Sequence, residues 1–177
     1  MTENNSTLKS LYKDKTTKTI TEDDTEMANV LNKQFESVFS IDDSSVPSVE
    51  PDFTNKLGHL KVNSKGIIKL LKKQKSNKAM GADQISFKIL KGCSTEIAEH
   101  LADLFNHSLK TSKLPEDWKH AEVVPLFKKQ DPLIASNYRP ISLTSLICKM
   151  MEHIIVSHIN KHLEKHEMLN KNQHGFR

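Results

Sequence analysis

The sequence predicts an α+β fold, mostly helical with a few strands. Two features carry that expectation. Apolar residues recur at helical spacing along four separate stretches, and one run around residue 124 is apolar and partly β-branched. No stretch approaches the ~18 consecutive apolar residues of a membrane span. The chain has 177 residues, 36% of them hydrophobic and 27% charged. That length suits one ordinary domain or a piece of something larger. The opening Met1–Lys13 has no apolar core, so a secretory signal is not expected. Two cysteines, Cys93 and Cys148, are too few for a disulfide framework and point to a reducing, intracellular compartment, nucleus or cytoplasm.

Taken in order, residues 1–24 are polar, rich in Thr, Asn and Lys, and without period; they are expected to be disordered or a linker. Residues 25–52 read as a linker helix and a loop. Met27, Val30, Leu31, Phe35, Val38 and Phe39 form one stripe, and Pro47 and Pro51 break the chain after it. A short helix is expected from Asn63 or Ser64, as N-cap, to Gln74, burying Ile67, Leu70 and Leu71. The polar stretch Lys75–Asp83 ends in a Met-Gly-Ala-Asp turn. Ser94 is expected to cap a longer helix reaching Ser112, with Ile97, Leu101, Leu104, Phe105 and Leu109 inward. Ala121–Phe127 reads as a strand, with Pro125 arguing for an edge or a bulge. Lys128–Asn137 is a polar loop, and Ile141–Leu143 is too short to classify. A last helix begins near Thr144 or Ser145 and runs to about His166.

Charge divides the chain. Residues 1–52 hold five lysines against eleven acids, and residues 53–177 hold twenty-one Lys plus Arg against eleven acids. From Phe53 to Ala82 there are eight lysines and no acid. An acidic leader before a basic body fits a polyanion partner, held by counterion release; a lysine-rich solvated surface fits equally well on charge alone.

One arrangement goes beyond charge count. Lys128 and Lys129 leave the expected strand, and Arg139 returns after the loop, giving a hairpin that gathers ammonium and guanidinium groups. A polyphosphate is the natural ligand of such a group, gripped by the Arg fork with Lys as a point charge. The bland alternative is a surface hairpin whose Arg139 pairs with Asp131 or Glu122.

The motifs then weigh in. Leu114-Pro115-Glu116-Asp117-Trp118-Lys119, Val123–Lys129, and Asn137-Tyr138-Arg139-Pro140-Ile141-Ser142-Leu143 are followed by Lys149, Glu152 and, near the end, Gln173–Arg177. Together with Lys78–Ile85, this series resembles the opening of the reverse transcriptase (RNA-directed DNA polymerase) of non-LTR retrotransposons, of the jockey-like, long interspersed type. The resemblance implies that residues 53–177 are the N-terminal, fingers part of a right-hand polymerase fold whose palm is missing. It implies that Lys128 and Arg139, with Lys129 as neighbour and rival, hold the triphosphate of the incoming dNTP. Lys78, Asn137, Gln173 and Arg177 would lie near template or primer. Partners would be an RNA template, a DNA primer and dNTP, with palm, thumb and an upstream endonuclease belonging to the intact element. Mg (or Mn) would serve the intact parent, with none bound by this chain. The sequence departs from the family pattern at Met80, Gln84 and Gln130, the last two standing where glycine is usual; glycine alone takes positive φ freely.

No catalytic residue is expected in this chain, because the resemblance puts the palm carboxylates after the Gly-Phe-Arg block that closes it. Alone it is expected to be inactive. A non-catalytic nucleic-acid-binding remnant and a functionless fragment stay open as alternatives. The spacing of His158, His162 and His166 is compatible with zinc, although packing or a satisfied hydrogen bond is the better account. Trp118 is read as an anchor at a helix exit.

Overall fold

A computed structural model describes residues 8–40, 55–169, 172 and 175. These residues divide into two compact units, one built from segments within 1–48 and 123–142, the other from segments within 49–122 and 143–177. The fold is α+β, with helices dominant and two small two-stranded sheets.

The first unit begins where no ordered element was expected. Strands β1 (Leu11–Asp14) and β2 (Thr19–Thr21) pair antiparallel, with an irregularity between Tyr12 and Asp14. The turn has no glycine. Instead the Asp14 carboxylate accepts the Thr16 amide at 2.7 Å, and Lys18 takes the left-handed conformation at φ 54°. Leu11 is fully buried and packs with Met27, Leu31 and Phe35 of helix α1 (Asp24–Glu36). Asp23 caps α1 by accepting the Glu26 amide. The apolar stripe ends with the helix, leaving Val38 and Phe39 exposed. Glu26 fastens the hairpin to α1: one carboxylate oxygen takes the Lys13 ammonium and the other takes the Thr21 hydroxyl.

Strands β3 (Glu122–Phe127) and β4 (Tyr138–Leu143) form the second sheet. β4 extends three residues upstream of the segment left unclassified, because Arg139 and Pro140 offer no alternation to read. Pro125 sits inside β3, in a sheet with no third strand, which is the edge setting proline tolerates. Leu133 accepts the Tyr12 amide at 2.8 Å, tying the loop before β4 to β1.

The second unit holds the larger core. Helix α2 (Ser64–Lys73) is capped by Asn63, whose carboxamide accepts the Gly66 amide at 2.8 Å. Helix α3 (Phe87–Gly92) is capped by Ser86 and was not anticipated, being too short to show a period. Helix α4 (Ser94–Thr111) follows almost without a break. The Cys93 amide closes α3, so Cys93 serves as the N-cap of α4, and Ser94 lies buried within the first turn instead of capping it. Ile67 and Leu71 of α2, Phe87 and Leu90 of α3, Leu101 and Phe105 of α4, and Leu146 and Met150 of helix α5 (Leu146–Lys165) close one cluster. Trp118, in a 3-10 turn over Glu116–Lys119, meets Phe105 edge-on with ring centres 5.9 Å apart. That is the anchoring role expected of it.

Two local fits complete this unit. Asn106 of α4 pairs with the backbone of Val62 like a strand edge, donating to its carbonyl at 2.8 Å and accepting its amide at 2.9 Å. Gly81 lies against the chain entering α5: a Cβ there would meet the Thr144 carbonyl carbon at 2.6 Å and the Ser145 nitrogen at 2.7 Å. Glycine is needed at that position for close backbone approach, since no glycine here has positive φ.

Candidate nucleotide and nucleic-acid interface

The β3–β4 connection is built by short polar contacts. The Asp131 carboxylate accepts the Leu133 amide at 2.9 Å, and the Ala135–Asn137 turn delivers the chain into β4. Asn137 is buried. Its carboxamide donates to the Asp131 carbonyl at 2.9 Å, and its own carbonyl accepts the Lys128 amide at 2.8 Å. Asn137 therefore holds the loop closed and fixes Lys128 beside the start of β4.

The aromatics that precede the basic residues set the orientation. Phe127 and Tyr138 lie ring to ring at 5.4 Å, and Tyr138 packs on the α1 cluster. The Tyr138 hydroxyl donates to the Pro132 carbonyl at 2.7 Å; burial, then the Asp131 charge, pushes its pKa up. Successive residues of an extended chain point to opposite faces. Arg139, inside β4, therefore takes the face opposite Tyr138, while Lys128 lies just beyond the end of β3, its amide held by Asn137. Both are exposed, as is Lys129. Among the described residues, none of the three is in an ion pair. The surface pairing of Arg139 with Asp131 or Glu122 is not formed; the Asp131 carboxylate is turned to Leu133.

The loop departs from easy backbone at one point. Gln130 has φ 78°, and in the other unit Gln84 has φ 53°. Both positions require the left-handed conformation although neither is glycine.

Lys78 belongs to the second unit. It donates to the Gln74 carboxamide oxygen at 3.0 Å and lies over the Phe87 ring, 5.6 Å from its centre. Gln173 and Arg177 lie outside the described residues. His158 and His162 each hold a backbone carbonyl, of Gly58 at 2.8 Å and of Asn55 at 3.1 Å, so they staple that segment to α5. Lys149, named in the sequence only as part of the motif series, and His153, given no role there, line a recess with Lys78; their spacing of four along α5 was the available signal.

No family model matches the chain. Over 112 residues, 63% of its length, it is 30% identical to a probable RNA-directed DNA polymerase from transposon BS of Drosophila melanogaster. Over 155 residues, 85% of its length, it is 27% identical to the RNA-directed DNA polymerase from mobile element jockey of Drosophila funebris. A probable RNA-directed DNA polymerase from transposon X-element of Drosophila melanogaster matches at 29% over 112 residues. The resemblance read from the motifs is therefore shown: the chain is similar to the reverse transcriptases of jockey-like mobile elements. It spans 12–17% of the length of these relatives.

Proposed function

We propose that this chain is a segment of a mobile-element reverse transcriptase, its fingers, and that Lys128 and Arg139 hold the triphosphate of the incoming dNTP. The observation that carries the reading is that these two residues are exposed and without an ion pair at the two ends of a loop locked by Asn137. Similarity to RNA-directed DNA polymerases supplies the substrate class. A guanidinium fork and an ammonium suit a triphosphate because each charge-assisted bond contributes about 1.5–3 kcal/mol. Asn137 acts here through the loop, as a positioning residue. Lys129 is the rival lysine, and Lys78, Gln173 and Arg177 are assigned to the template and primer strands.

Nucleotidyl transfer in this reading uses two divalent metals, Mg or Mn, on palm carboxylates. Among the described residues no three His, Cys, Asp or Glu groups gather to hold a metal. The role of these residues is to bind and orient phosphate. In a complete polymerase carrying this segment, Arg139→Ala lowers kcat/KM for dNTP by roughly ten- to a hundredfold, the equivalent of one charged bond. Steady-state kinetics with varied dNTP tests this, and unchanged constants remove Arg139 from the site.

A further inference from the structure

The second unit contains a recess of about 210 Å³ lined by Gln74, Lys78, Phe87, Lys149, Met150 and His153. We propose that it is a second anion site, which takes a backbone phosphate of a nucleic-acid strand. Two lysines and a histidine line it, beside the Gln74 carboxamide. Lys149 and His153 stand four residues apart on α5 and so share one helix face. Lys78 reaches it from the loop after α2.

The site is preorganised. Gln74 is bracketed by two lysines: its backbone carbonyl accepts the Lys91 ammonium at 2.9 Å, and its carboxamide oxygen accepts Lys78 at 3.0 Å. The Phe87 ring, itself buried, carries the Lys78 ammonium above its face. An ammonium has three donors, so Lys78 keeps two for a ligand. Lys149 is half-buried and makes no ion pair among the described residues. No acid lines the recess, and the nearby Glu152 carboxylate is turned to the Cys148 thiol at 3.7 Å. A desolvated floor of Phe87 and Met150 strengthens the attraction between these cations and an anion. The recess is too small for a base to enter beside the phosphate, so it fits backbone contact without sequence readout.

The proposal deepens the assignment of Lys78 to template and primer strands and rests on that reading for its nucleic-acid partner; it shares no residue with the triphosphate reading, which lies in the other unit. The probe is a short fluorescein-labelled single-stranded RNA bound to the full chain, followed by anisotropy across a salt series. Lys78→Gln with Lys149→Gln raises Kd about tenfold. It also reduces the slope of log Kd against log salt by about 0.7, one phosphate's worth on a single strand. His153→Leu weakens binding severalfold. Lys110→Gln with Lys113→Gln, two exposed lysines at the end of α4 and just beyond it, leaves Kd and slope within twofold of the parent. Equal loss from that control pair would mean diffuse charge and no site. An unchanged Kd in the recess variant overturns the proposal directly. Lys78→Gln alone, at an exposed position, keeps the test alive if the double variant unfolds, as judged by circular dichroism. Lys128→Gln with Arg139→Gln, measured alongside, reports on the other site only.

Discussion

Gln130 holds φ 78° on the loop that presents Lys128 and Arg139, and its side chain is exposed. A left-handed non-glycine residue carries about 1 kcal/mol of strain. Gln130→Gly therefore stabilises the first unit by about 1 kcal/mol, less the extra chain entropy glycine loses on folding. A urea midpoint that falls would show that Gln130 contributes a contact outweighing its strain. Cysteine chemistry separates at the same scale. The buried Cys148 thiol has its pKa pushed up to about 11, first by burial, then by the Glu152 charge and its hydrogen bond. The thiolate is the reactive form, so at pH 8 a thiol reagent modifies the more accessible Cys93 first and Cys148 only on unfolding. Equal rates in native protein, read by mass spectrometry, would refute that order.

At the scale of elements, the hairpin is held to α1 through Glu26. Its bonds to Lys13 and Thr21 lower its pKa, the Lys13 bond most. A carboxyl depressed in the folded state stabilises above its unfolded pKa, and that contribution is lost as pH falls through the folded one. Acidification below the ordinary glutamate range therefore loosens β1 and β2 from α1. Amide hydrogen exchange at Leu11–Asp14 and Thr19–Thr21, corrected for intrinsic rates, rises there ahead of exchange in α4; a uniform response would assign no clamp to Glu26. The hairpin also shows why this element escaped the sequence reading. Its turn relies on Asp14 and a left-handed Lys18, not on glycine or proline, and its strands are three and four residues long. α2 and α5 were legible because their N-caps, Asn63 and Ser145, precede clear apolar stripes, and α1 was legible from its stripe, its cap Asp23 falling in the segment read as linker.

For the whole molecule, both units leave large apolar side chains exposed, Ile89 and Leu114 in the second and Val123 and Leu126 in the first. The second unit closes its cluster around Phe105, Ile67 and Leu146. The first leaves a groove of about 790 Å³ between α1 and β3, with Val123, Val124 and Leu126 exposed along it. Open apolar surface of this kind binds hydrophobic dyes. The native chain is expected to enhance anilinonaphthalene sulfonate fluorescence, and Leu126→Glu to reduce that signal at unchanged circular dichroism. Dye binding that Leu126→Glu leaves intact would place the accessible surface elsewhere.

By itself the sequence determined the four longer helices, the strand around Pro125, the basic character after residue 53 and the similarity to mobile-element reverse transcriptases. Each of these is local: a cap, a period, a charge count or a contiguous motif. Tertiary structure alone decided what depends on residues far apart in the chain. Asn106 completes the hydrogen bonds of Val62, Gly81 makes room for the backbone entering α5, and Tyr138 packs on the α1 cluster while its ring meets Phe127. Lys78 meets Lys149 and His153 across a loop and a helix for the same reason: packing, not spacing in the chain, sets which side chains share a recess.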